Sequence, residues 1–154
     1  MSIDLNCDLG EGCPFDAELM PLITSANIAC GGHAGDAGSM RVAVELAAAH
    51  GVAIGAHPGF EDRRNFGRGE LALPTGEIFI LVTRQVRVLA DVARTLGHRL
   101  AHVKPHGGLY NLAARDRRVK IRGRFRYADA TPACPRCGRQ LQSLPLPGSG
   151  GKRL

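Results

Sequence analysis

The chain has 154 residues, 44% hydrophobic and 22% charged, with 20 Gly, 9 Pro and no Trp, a composition that suits about one globular domain. No stretch approaches the roughly 18 apolar residues of a membrane span, and the start, Met1-Ser2-Ile3-Asp4, has neither the basic region nor the apolar run of a secretory signal. A cytoplasmic chain with no membrane partner is expected. The net charge of +6 raises nucleic acid as a partner, but residues 1–115 hold 10 Lys+Arg against 12 Asp+Glu, whereas residues 116–154 hold 10 against 2. The basic character belongs to the tail, and with Phe125 and Tyr127 as its only aromatics no nucleic-acid partner is expected.

In chain order, short apolar runs at 3–7, 26–30, 52–56 and 100–103 read as buried strands, each running into polar residues. Residues 38–50 read as a helix with Val42, Leu46 and Ala49 on its apolar stripe and Gly51 in the left-handed position beyond it. Residues 75–96 read as a second helix between Pro74 and Gly97, with Ile78, Leu81, Val82, Leu89, Val92 and Leu96 on one face. Strand and helix in alternation predict an α/β domain with a parallel sheet of about four βα units over residues 1–115. From Asp116 onward the sequence is Arg-rich, aperiodic and Pro/Gly/Ser-rich at its end. It is expected to be a disordered basic tail, and among an arm, an accessory module and out-of-frame sequence the last is favoured.

Parallel α/β architectures build their sites at the carboxyl ends of the strands. By that rule strand one delivers Asn6, Asp8 and Glu11, strand two Asn27, His33 and Asp36, strand three His57, and strand four Lys104 and His106. Two acids, three imidazoles and a lysine on one rim form a general acid/base constellation. Taken singly each has a plainer reading: Asp8 and Glu11 could cap a following helix, and a lone His is most often a satisfied loop residue. His50, His98 and His102 take that plainer reading. Gly31-Gly32-His33-Ala34-Gly35-Asp36 allows close approach of backbone to a ligand but matches no nucleotide-binding motif. Phe66-Gly67-Arg68-Gly69, in the long loop 58–73, offers either a mobile lid with an arginine for an anion or a solvated surface arginine. Cys134 and Cys137 are half of a zinc ribbon without its partner pair, and Cys7, Cys13 and Cys30 are expected to be small buried hydrophobes.

Five blocks stand in order: residues 3–12 (IDLNCDLGEG), 25–36 (SANIACGGHAGD), 54–58 (IGAHP), 66–68 (FGR) and 102–111 (HVKPHGGLYN). Together they resemble the LamB/YcsF family, known as the A component of 5-oxoprolinase. The resemblance implies a partial (β/α) barrel of the glycoside hydrolase/deacetylase type. It also implies ATP-dependent cleavage of 5-oxoproline to L-glutamate, with ATP supplied through a complex with B and C subunits and no metal. Carried onto this sequence, it points to Asp8, Glu11, His33, His57, Lys104 and His106 as catalytic, and to Asn6, Asn27, Asp36, Arg68 and Asn111 as substrate-binding. In the expected mechanism Lys104 and His106 hold the oxygen that gains negative charge, Asp8 or Glu11 activates water, and His33 or His57 protonates the leaving nitrogen. Gly32, Gly69 and Gly108 depart mildly from the family pattern. Members of the family are roughly twice as long as the matching segment, as a full barrel requires. Two other readings stand beside this one: a metal-dependent hydrolase with Asp8, His33 and His57 as ligands, and an inactive truncated fragment.

Overall fold

The computed structural model describes residues 3–119. The tail beyond Val119, with Cys134 and Cys137 and the expected disorder and frame change, lies outside the described residues. Four parallel strands, β1 (Asn6–Leu9), β2 (Ser25–Ala29), β3 (Ala53–His57) and β4 (His102–Val103), form an open sheet in the order β1-β2-β3-β4. Each strand is followed by a helix: α1 (Asp16–Leu19), α2 (Ala37–His50), α3 (Thr75–Thr95) and α4 (Gly107–Arg115). Among the described residues this is the predicted α/β architecture of four βα units, a barrel segment whose sheet is open.

The strands carry their polarity in alternation. The register aligns Asp8 with Asn27, Asn27 with Gly55, and Gly55 with His102, so these residues share one face because side chains alternate with period two. The opposite face carries Leu9, Ala26, Ile28, Ile54 and Ala56, all buried in one core with Met40, Val44, Leu81, Val82 and Leu89 of α2 and α3. A fully buried side chain of this kind contributes about 1.5–3 kcal/mol, so the helix-facing side of the sheet is where the stability lies. The predicted first strand starts too early: Ile3 and Leu5 are exposed, and the Leu5 N–H bonds the Thr24 hydroxyl rather than a ladder partner. Asn6 and Asp8 therefore lie within β1, not beyond its end.

α2 keeps its predicted stop, with Gly51 at φ 64°, but not its predicted stripe. Val42 and Ala49 are exposed, and the packed face is Met40, Ala43, Val44 and Ala47. Small residues face the sheet here. In α3, the buried face is the predicted one with Gln85 set among the apolar residues. Gln85 Oε1 accepts the Gly59 N–H at 3.0 Å and its Nε2 donates to the Gly59 carbonyl at 2.8 Å, which holds the loop after β3. A Cβ at Gly32 would lie 2.5 Å from Gln85 Nε2. Gly32, which departs from the family pattern, is thus matched by its neighbour. Among the described residues, no helix is long and apolar enough to cross a membrane.

Candidate active site

The polar face of the sheet is a connected network. Asn27, fully buried in β2, donates to Asp8 Oδ1 at 2.7 Å and accepts from His102 Nε2 at 2.6 Å, and it is also paired with Asn6. Lys104, just after β4, donates to both oxygens of Asp8 on β1, at 2.6 and 2.8 Å. On a flat sheet β1 and β4 would stand about 14 Å apart, three strand spacings, so a lysine reaches across only because the sheet curls toward its polar side. The curl makes that face a cleft.

Asp8 is half-buried, which by itself pushes its carboxyl up, but hydrogen bonds from His57, Lys104 and Asn27 outweigh burial and hold it well below the usual carboxylate range. His102, expected to be an uninvolved strand residue, belongs to this network: burial lowers its pKa, the charges of Lys104 and His57 add to that, and Asp4 opposes it. A Cβ at Gly55 would lie 2.1 Å from His102 Nε2, so glycine in β3 is what makes room for the ring. A polar residue alternating in register with Asn6, Asp8 and Asn27 was the signal available in the sequence.

Beside the network sits a cage of three imidazoles and one carboxylate. His33 and His106 stack with ring centroids 3.7 Å apart and an interplanar angle of 3°, and His57 meets both edge-on. His33 Nε2 lies 2.9 Å from Glu11 Oε1, which is also 3.7 Å from His57 Nε2 and 3.4 Å from His106 Nδ1. Burial raises the Glu11 carboxyl, yet the hydrogen bond and charge of His33, with the charges of His106 and His57, bring it below its ordinary value. Burial and the charge of His33 lower His106. His33 Nδ1 is buried with no hydrogen-bond partner.

Two of the tautomers are fixed by carbonyl acceptors. His57 Nδ1 faces the Lys104 carbonyl at 2.6 Å and His106 Nε2 faces the Phe66 carbonyl at 2.8 Å, and a carbonyl only accepts, so both of these nitrogens carry protons. The remaining nitrogens, His57 Nε2 and His106 Nδ1, point at each other across 3.0 Å. In neutral rings both would be lone pairs. A hydrogen bond between them therefore needs a proton on one of the two, and Asp8 Oδ2 lies 3.4 Å from His57 Nε2.

The loop that supplies Phe66 is hydrogen-bonded to its surroundings. Phe66 and Gly67 adopt left-handed conformations at φ 54° and 64°, the Gly108 N–H bonds the Gly67 carbonyl at 2.9 Å, and Arg63 donates to the carbonyls of Gly31 and Gly35. A Cβ at Gly67 would lie 2.6 Å from that of His33, so glycine lets the loop cover the cage. Arg68 extends past the Phe66 ring, 5.6 Å from its centroid.

An open cavity of about 460 Å³ adjoins the cage, lined by Asp8, His57, Arg68, Lys104, His106 and Asn111. Glu11 and His33 sit behind it, and Asn6 and Asn27 lie in the sheet network. Asp36 is elsewhere: it is the N-cap of α2, accepting the Ser39 N–H at 2.8 Å in a capping box, and it is exposed. Asp8 and Glu11 do not cap the helix after β1, whose N-cap is Phe15, and the predicted substrate contact of Asp36 is withdrawn. Of the cysteines, Cys30 is buried and its thiol is pushed up to about 12 by burial, whereas Cys7 is half-buried and Cys13 exposed. Cys13 is thus not the buried hydrophobe expected.

Glu11, His33, His57 and His106 are a group that could hold a metal ion, with all four ligand atoms within 4.8 Å of one another. Asp8, the acid in the alternative ligand set, is instead committed to Lys104 and Asn27.

The LamB/YcsF family profile matches residues 3–122. The chain is also similar to the crystal structure of the lactam utilization protein from Thermus thermophilus, at 48% sequence identity and a TM-score of 0.75, over 77% of this chain and 50% of that one. The chain thus spans about half the length of that protein.

Proposed function

Because the chain belongs to the LamB/YcsF family, we propose that it acts in lactam opening, as the A component of an ATP-dependent 5-oxoprolinase that works with B and C subunits to turn 5-oxoproline into L-glutamate. The observation that carries this reading is the Asp8–Lys104 pair beside the His57–His106 pair at one cavity wall. A lactam is resonance-stabilised, so its opening needs positive charge at the carbonyl oxygen, water at the carbon and a proton for the nitrogen. ATP supplies the phosphoryl group that activates the carbonyl oxygen.

The side chains divide those tasks. Lys104 and Arg68 present the cationic groups of the cavity to the activated oxygen and its phosphoryl group. Asp8 stays a carboxylate on the cavity wall and receives a proton from the attacking water, the bonds that keep it ionised making it a weak base. As the carbon–nitrogen bond breaks, the proton held between His57 Nε2 and His106 Nδ1 passes to the nitrogen, and a second water releases phosphate from the opened acid. Glu11 positions the imidazoles and Asn27 positions Asp8. Asn111, on the cavity wall, is a hydrogen-bonding partner for the lactam carboxylate.

Mixing the chain with B and C subunits and following glutamate formation tests this directly. ATP-dependent glutamate is expected from the wild-type chain. Lys104→Met should lose about 100-fold or more in turnover, the usual cost of removing one oxyanion-stabilising group. Undiminished turnover by Lys104→Met, or glutamate formed without ATP, would defeat the assignment.

A further inference from the structure

We infer that the imidazole cage is a divalent transition-metal site, with His57 Nε2, His106 Nδ1 and Glu11 Oε1 as its donors and His33, stacked on His106, holding Glu11 through Nε2. The two nitrogens face each other at 3.0 Å while the outer nitrogens of both rings lie on carbonyls, so an ion between them would meet two lone pairs at once. For bonds near 2.05 Å a tetrahedral ion spaces its donors about 3.3 Å apart. The three separations here are 3.0, 3.4 and 3.7 Å, on both sides of that value.

The surroundings agree. Metal-ligating imidazoles characteristically donate their other N–H to a carbonyl or carboxylate, which fixes the ring and its tautomer. His57 does so to the Lys104 carbonyl and His106 to the Phe66 carbonyl. The third ring, His33, stacks on His106 and has its Nε2 2.9 Å from Glu11 Oε1, so it orients that carboxylate from behind. Two imidazole nitrogens and one carboxylate oxygen suit zinc, cobalt or iron(II) and not calcium or magnesium, which take oxygen ligands. Glycines at 59 and 67 close the backbone over the cage, since a Cβ at either would come within 2.6 Å of His33.

Loading exchanges the shared proton for the ion, so proton and metal compete for one position, and the metal-free chain is the form that has the proton used in lactam opening. The inference goes beyond lactam opening and does not rest on it: it concerns the chain alone, without ATP, lactam or other subunits, and failure of either reading leaves the other standing.

The test uses the full chain, stripped with a chelator and titrated with Co2+. One equivalent is expected to bind, giving weak visible d–d bands that one equivalent of Zn2+ abolishes. Glu11→Gln and His106→Gln should each weaken cobalt binding by more than about 100-fold, beyond the loss that follows removal of an outer-shell partner, while Asp36→Asn keeps wild-type affinity. X-ray absorption on the zinc-loaded wild-type chain needs no variant, and should show nitrogen and oxygen neighbours at about 2.0–2.1 Å with imidazole scattering. Absence of stoichiometric uptake, affinity unchanged in both ligand variants, or a sulfur shell with a near-ultraviolet thiolate band would each overturn the site.

Discussion

The two faces of one four-stranded sheet obey different rules. Toward α2 and α3, Leu9, Ala26, Ile28, Ile54 and Ala56 are at most 4% exposed and form a conventional core. Toward the cleft, Asp8, Asn27, His102 and Lys104 are joined by hydrogen bonds, and the cage histidines His57 and His106 stand at its edge. Parallel sheets usually bury both faces under apolar side chains. Here the strands keep that packing on one side only, so stability and chemistry are assigned to alternate residues of the same short segments. One residue of slip would exchange the two sets, so the apolar face also sets the aim of every functional group on the other.

The largest expected effect comes from breaking the apolar face. Ile28 is fully buried in the central strand β2, and Ile28→Ala should lower the free energy of unfolding by about 2–5 kcal/mol, read by urea denaturation. The loss should be the same at pH 7 and pH 5 because no titrating group is removed. A loss below about 1 kcal/mol would mean that the sheet does not depend on this face.

The next effect separates the faces by pH, measured on the chelator-treated chain. His102 has a folded pKa below the ordinary imidazole value, and Asp8 and Glu11 lie below the ordinary carboxylate value. For every one of them the unfolded chain takes up its proton at a higher pH than the folded chain. Stability is therefore present above the unfolded values and lost on acidification, first through His102 below about pH 6.5 and then through the carboxylates below about pH 4. The slope is limited to about 1.4 kcal/mol per pH unit for each proton. Flat stability from pH 7 to pH 3 would contradict the network.

Much of this is legible in the sequence, for physical reasons that differ by element. The βα rhythm is written in composition, because buried strands need short apolar runs and their helices need periodic ones. The histidines at 33, 57 and 106, with Glu11, stand close to strand ends in sequence, and the fold brings them into one cage. Face and register are harder to read. The stripe in α2 misleads because alanines pack against the sheet while the bulkier Val42 faces outward. Gln85 is hidden in an apolar helix face, since its two bonds to Gly59 are formed 26 residues away in sequence. His102 passes for a plain strand residue, although the period of two that puts Asn6 and Asp8 on one face of β1 puts it on the same face of β4.

Asp36 gives the smallest test, and it sharpens the boundary between scaffold and site. It follows the same strand as Asn27 and the same loop as His33, so by sequence alone it belongs with them. In the fold its carboxylate accepts the Ser39 N–H, and the Ser39 hydroxyl accepts the Asp36 N–H, satisfying two groups that a helix start leaves open. Asp36→Ala should cost about 1 kcal/mol, the usual loss when such a cap is removed, seen as a lower midpoint in urea. Asp36→Asn should cost less, because an amide oxygen accepts the same bond. Neither change should alter cobalt affinity, since the bond between Ser39 and Asp36 lies outside the cage. If Asp36→Ala weakened metal binding as strongly as Glu11→Gln while leaving the midpoint in place, the residue would belong to the chemistry after all, and the division of labour around β2 would have to be drawn one loop further out.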